Sequence, residues 1–238
     1  MQRSILTLST KKNRGRIRGG QRWVDEHRKD RFVKQAKARG LRSRAVFKLE
    51  EIIRRDRLLA KARLVVDLGS APGGWSQWCE QQLRDRGEVI ALDLLPMVQL
   101  PGVHFIQGDF RSKDVRMQLY EILADRKADL VISDMAPNLT GMASVDQARA
   151  LDLAETAFEF CLQTLSRNGN FVVKLFEGEE SAQFRRRCRQ YFRECVVRKP
   201  AASRPRSREI YLLCKGLRVL AGTGTGKGTC TLNGNIGQ

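Results

Sequence analysis

The sequence predicts an α/β protein with a mostly parallel sheet, helices on both faces and an antiparallel last strand. Two observations predict it. Short apolar runs rich in Val and Ile alternate with helix-length segments from residue 64 onward, the pattern of βαβ units in a sheet covered on both sides. The final two runs are joined only by KPAASRPRSR, which is too short for a parallel crossover, so the last strand must return antiparallel.

Taken in order, residues 23–58 read as helical, with Ala45, Leu49, Ile52 and Ile53 at i, i+4, i+7 and i+8. Lys48 lies at the border of that apolar stripe, where a lysine ordinarily snorkels to water. Strands are expected at 64–68, 88–92, 102–106, 129–133, 169–176, 195–198 and 209–215. Helices are expected at 74–84, 113–125, 146–165 and 180–192.

Three segments follow. Residues 1–22 hold seven basic residues and no acid, and read as a flexible basic arm. A presequence reading is weaker, because no amphipathic helix is evident there. Residues 23–216 form the folded domain. Residues 217–238 are a Gly/Thr-rich, unpatterned tail expected to be disordered. The tail imitates a P-loop and fails, since Ala221 and Gly228 stand where Gly and Ser or Thr are required.

Composition narrows the function. The chain of 238 residues has 44 Lys plus Arg against 26 Asp plus Glu, a formal net charge of +18. Such a surplus repels itself unless a polyanion screens it. No apolar run approaches the ~18 residues of a membrane span, and MQRSILTLST has no signal-peptide core, so a soluble cytoplasmic protein is expected. The six cysteines form no CxxC and stand at no metal-ligand spacing, which predicts scattered reduced thiols and no metal. With only His27 and His104 present, a histidine-based triad or metal site has little to work with.

The strongest local signal is LVVDLGSAPGGWSQW. A strand ends near Asp67, a Gly/Pro-rich turn follows, and a helix starts near Gly74. An open α/β sheet binds ligands at that place, outside the carboxyl end of its first strand. Gly69, Gly73 and Gly74 let the backbone approach a ligand closely. Ala71 and Pro72 break the GxGxxG spacing, so a ligand without a pyrophosphate fits better. VIALD ends at Asp93, where a carboxylate accepts two bonds from a ribose diol. VHFIQGD ends at Asp109, which could accept from an adenine amine. Each acid alone could be a helix cap, but together with the glycine loop they describe an adenosine site.

LVISDMAPN ends the fourth strand at Asp134. FVVKLFEG embeds Lys174 in a buried strand, facing away from Val173, and SREIYLL opens the last strand with Glu209. Charged residues are rarely admitted to buried strands, so Lys174 must be paired, functional or both. Lys48, Asp134, Lys174 and Glu209 could meet above one sheet edge, as a catalytic cluster or as a plain ion-pair network.

These segments, with GLRSRAVFKLEEI, QGDF and RKPAASRPRSREIYL, resemble the bacterial FtsJ/RrmJ-type ribosomal RNA large-subunit methyltransferase E family from about Trp23 to Lys215. The resemblance implies a seven-stranded, Rossmann-like class I methyltransferase fold that uses S-adenosylmethionine and yields S-adenosylhomocysteine. It implies methylation of a uridine ribose 2′-hydroxyl in large-subunit ribosomal RNA. By position it implies cofactor contacts from Gly73, Trp75, Asp93, Asp109 and Asp134, and a catalytic tetrad of Lys48, Asp134, Lys174 and Glu209, with Lys174 the base or a cation that orients the ribose oxygen. Arginines at 39, 42 and 44, at 185, 186, 187 and 189, and at 204, 206 and 208 are candidates for RNA phosphates. The basic surface suggests a monomer with no obligate protein partner. A methyltransferase acting on tRNA or another RNA, and a non-catalytic RNA-binding assembly factor, stay open as alternatives.

Overall fold

The structure, a computed structural model, describes residues 30–204 and 207–218. The expected arm at 1–22 and nearly all of the tail lie outside these residues, as do Arg206 and Cys230. Among the described residues the elements run α1 (Arg31–Ala38), α2 (Val46–Asp56), β1 (Leu64–Leu68), α3 (Gly74–Leu83), β2 (Glu88–Asp93), β3 (Val103–Gln107), α4 (Lys113–Leu123), β4 (Ala128–Ser133), α5 (Ala143–Thr164), β5 (Leu165–Phe176), α6 (Glu179–Tyr191), β6 (Phe192–Arg198) and β7 (Glu209–Leu217).

The seven strands form one sheet in the order β3-β2-β1-β4-β5-β7-β6. The first five pair parallel. β7 inserts antiparallel between β5 and β6, as the short connection before it requires. The period-2 alternation of the strands divides the core in two. Val66, Ile90, Val131 and Val173 pack with α4, α5 and α6 on one face. Val65, Val89, Ile132, Val172 and Tyr211 pack with α1, α2 and α3 on the other. Lys174, one residue past Val173, faces the α1–α3 side, where its cross-strand partner is Tyr211.

Two expectations need correction. The helix predicted across 23–58 is two helices within the described residues. Gly40, at φ +64, turns the chain after α1, a left-handed position that glycine occupies without strain. Residues 39–45 then cross to α2, burying Leu41 on the way. The cysteines, free thiols at all five described positions, are also less scattered than their spacing suggests. The β6–β7 register sets Cys195 opposite Cys214, with their sulfurs 3.1 Å apart.

Among the described residues no helix is long and apolar enough to cross a membrane. No group of three or more His, Cys, Asp or Glu side chains there could hold a metal ion.

Candidate active site

The carboxyl ends of β1, β2 and β4 lie side by side, and the chain turns there in three loops. After β1, residues 69–73 form the glycine loop. Gly69 (φ +80) and Gly73 (φ +97) adopt a conformation that other residues rarely accept. A Cβ on Gly69 would lie 2.7 Å from the Met135 amide nitrogen, and one on Gly73 would lie 2.6 Å from Met97 Sδ. Glycine is therefore needed at 69 for the loops after β1 and β4 to close on each other, and at 73 for its backbone angle.

Asp93 ties the loop down. Its two carboxylate oxygens accept from the Ala71 and Leu95 amides, each at 2.8 Å. One N–H per oxygen leaves lone pairs for further donors. Ser70 Oγ, buried in the same loop, has no hydrogen-bond partner. Below it Asp67 is fully buried and accepts from Ser76 Oγ at 2.6 Å through Oδ2, while Oδ1 is unpartnered.

Burial raises the Asp67 carboxyl to about 7. The Ser76 hydrogen bond opposes that rise, and the negative charges of Asp134 and Asp93 add to it. In the unfolded chain an aspartate titrates near ~3.9. Between that value and about 7 the folded chain keeps a proton that the unfolded chain has released, so this group's contribution to stability falls as pH rises through the window. Asp67→Asn is neutral throughout and can still accept from Ser76. Urea unfolding from pH 4 to 8 should show wild type losing stability relative to Asp67→Asn as pH rises, by a few kcal/mol in all. A constant difference between the two proteins would contradict it.

The four charged residues predicted to cluster, Lys48, Asp134, Lys174 and Glu209, meet here. Ser133 pairs with Val173, so the next residues in register are Asp134 and Lys174. Lys174 Nζ lies 2.9 Å from Asp134 Oδ1 and donates to the Asp134 carbonyl at 2.5 Å. Lys48 reaches down from α2 and bonds Glu209 Oε1 at 2.6 Å. Its amine is buried rather than snorkelling to water.

Tyr211 joins the two ion pairs, and sequence reasoning missed it. Its hydroxyl is 2.9 Å from Asp134 Oδ1 and 3.2 Å from Glu209 Oε1, and it accepts from Lys48 Nζ at 3.3 Å. One phenolic proton can serve only one carboxylate at a time. Burial and the two carboxylates hold this phenol well above its ordinary pKa. Its position two residues after Glu209 puts it on the same strand face, but only the β5–β7 register brings it to Lys174. Ser203 Oγ adds a 3.3 Å contact to Glu209.

The other predicted residues are placed differently. Trp75 is buried, donates its indole N–H to the Ala45 carbonyl at 2.8 Å and packs its ring 5.8 Å from that of Tyr211. Asp109 sits past β3 in a pair with Arg111 at 2.8 Å, away from the Lys/Asp/Lys/Glu cluster. Arg111 holds its carboxyl below the usual range.

Several arginines predicted to meet RNA are engaged internally. Arg39 pairs with Glu50 and Arg44 with Asp30. Arg42 donates to the Val98 and Gln99 carbonyls, Arg208 to the Glu177 carbonyl, and Arg187 pairs with Glu155.

A glycine loop after the first strand and an antiparallel strand inserted beside the last parallel one are features of a Rossmann-like methyltransferase, and the buried charge cluster lies at that fold's ligand edge. The comparison with known proteins refines the class: residues 41–217 match the FtsJ-like methyltransferase model, and the chain belongs to that family. A Xanthomonas oryzae pv. oryzae protein named Ribosomal RNA large subunit methyltransferase E is 50% identical over 204 residues, covering 86% of this chain and 97% of the relative. Its namesake from Alkalilimnicola ehrlichii is 52% identical over 203 residues, covering 85% and 97%. A solved structure of a Plasmodium falciparum ribosomal RNA methyltransferase is similar with a TM-score of 0.68 at 30% identity, covering 74% of this chain and 98% of that one.

Proposed function

We propose that this methyltransferase moves a methyl group from S-adenosylmethionine to the ribose 2′-hydroxyl of a uridine in 23S ribosomal RNA of the large subunit. The observation that carries the reading is the Lys174–Asp134 pair, buried beside the glycine loop and joined through Tyr211 to Lys48 and Glu209. The names of relatives about half identical to this chain support the substrate.

The loop suits the cofactor. Asp93 retains lone pairs for a ribose diol, and the buried Ser70 hydroxyl awaits a partner. Asp93, Gly73 and the loop backbone would hold its adenosine, with Trp75 shaping the start of α3, Asp109 on the adenine side and Asp134 toward the reacting end. When bound, the cofactor supplies an electrophilic methyl on a sulfonium.

The residues of the cluster do the rest. A ribose hydroxyl is a poor nucleophile until its proton is removed or held. Lys174 either accepts that proton as the neutral amine or, as the ammonium, turns an N–H toward the oxygen and fixes its approach. Asp134 holds the amine in place, and Lys48, Glu209 and Tyr211 hold Asp134 from the other side. Such positioning can remove about 7–11 kcal/mol of barrier.

The test is methyl transfer from labelled cofactor to large-subunit RNA from cells lacking the protein, followed by mapping of the modified sugar. One 2′-O-methylated uridine in 23S RNA supports the reading. Modification of tRNA alone, or none with cofactor bound, overturns it. Binding of that RNA should also weaken steeply with added salt, as phosphate contacts require.

A further inference from the structure

The edge of the sheet opposite the site is shaped as well. Where β1, β2 and β4 begin, two adjoining open hollows of about 430 and 490 Å³ share Arg63, Asp85 and Arg86 on their walls. The last turn of α2 supplies Arg55, the connection from α2 to β1 supplies Arg57, Lys61 and Arg63, and the turn after α3 supplies Arg84 and Arg86.

The acids of this edge are largely engaged. Asp56 pairs with Arg198 and Lys215, and Glu88 with Arg126. Asp129 accepts from the Arg63 and Leu64 amides. The side chains of Arg55, Arg57, Lys61, Arg63 and Arg84 meet no carboxylate among the described residues. Among the arginines predicted for RNA, those at 39, 42, 44, 187 and 208 are engaged within the protein; at this edge Arg86 donates to the Gln82 carbonyl.

Two of these basic residues also stand where glycine would be easier. Arg57 has φ +54 and Arg84 has φ +49, a conformation that costs an ordinary residue roughly 1–2 kcal/mol. Cations spread along an open surface, with no converging donors, suit a repeating polyanion better than a single small anion.

We propose that this edge is a second docking surface for the RNA, taking phosphates of a segment other than the one that carries the target nucleotide. The inference rests on the reading that RNA is the substrate. The five residues of β1 at about 3.3 Å each separate the two edges by ~17 Å, beyond the Debye length of about 8 Å at physiological salt. The two regions therefore act as separate contacts, not one field.

The test uses the full chain and the variant Lys61→Gln/Arg63→Gln/Arg86→Gln. Its melting temperature and S-adenosylmethionine affinity should match wild type, because all three residues lie at the far edge from the glycine loop. Binding is measured against salt for a long 23S RNA transcript and for a short fragment of it that carries the mapped methylated uridine. On the long RNA, the slope of log affinity against log salt should flatten by about two to three. On the short fragment it should not change. An unchanged slope on the long RNA, or an equal loss on both RNAs, overturns the proposal. If wild type binds and methylates neither RNA, the proposed function falls with it; if only the variant's slope is unchanged, the second surface alone falls. The charge-preserving variant Lys61→Arg/Arg63→Lys/Arg86→Lys should keep the wild-type slope, which separates charge from folding.

Discussion

Lys174→Ala should lower methyl transfer by at least the roughly 10²–10⁴-fold typical of a lost acid–base group, while S-adenosylmethionine still binds. The geometry separates the two readouts. Two of the three N–H bonds of the Lys174 ammonium point at Asp134, one to the carboxylate and one to the carbonyl. The third is left for a substrate oxygen. The adenosine side of the site is built instead from Asp93 and the glycine loop, which Lys174 does not touch. Calorimetry on the variant should therefore show near-normal cofactor affinity beside negligible turnover. Wild-type turnover would end the assignment. Lys174→Arg divides the two roles, because guanidinium does not give up its proton in this range. Substantial activity in that variant makes Lys174 an orienting cation, and its absence with cofactor still bound favours proton transfer.

How much of this was legible beforehand differs by the kind of signal. Strands that alternate between two covered faces announce themselves as Val/Ile runs, so all seven were readable, and the short KPAASRPRSR connection dictated the antiparallel return. Charges inside such runs stand out for the same reason, which exposed Lys174. Asp134 and Glu209 follow from where strands end. What resisted were features set by neighbours distant in sequence. Tyr211 looks like an ordinary aromatic core residue until the β5–β7 register sets it opposite Lys174. Trp75 is legible as part of the loop, but its indole partner is the carbonyl of Ala45, 30 positions earlier. The arginines looked like a reservoir of free positive charge. Only the fold reveals that Arg44 is held by Asp30 and by the Ala202 carbonyl, 158 positions away. The break at Gly40 was overlooked because a strong apolar period on its far side masked an ordinary glycine stop signal.

Asp134→Ala should cost stability as well as activity, and the two losses should come apart in a double variant. The Asp134 carboxylate answers both the Lys174 amine and the Tyr211 hydroxyl at 2.9 Å. The side chains of Lys174 and Asp134 are only 8% and 19% exposed, so solvent does little to replace a missing partner. Removing one member of such a pair leaves an uncompensated buried charge and typically costs about 3–5 kcal/mol. Tyr211 can shift its proton to Glu209 at 3.2 Å, but the Lys174 ammonium retains only a carbonyl. In Asp134→Ala/Lys174→Met that stranded ammonium is replaced by an apolar chain of similar length beside Val172 and Tyr211. Most of the lost stability should return in urea unfolding, whereas methyl transfer should stay absent because neither proton handling nor orientation is restored. Stability of the double variant equal to that of Asp134→Ala would mean that the penalty comes from the carboxylate's lost bond to Tyr211 and not from a stranded ammonium. Recovery of activity in the double variant would be more damaging, because it would place the chemistry on Lys48 and Glu209 and leave Lys174 as a structural partner of Asp134.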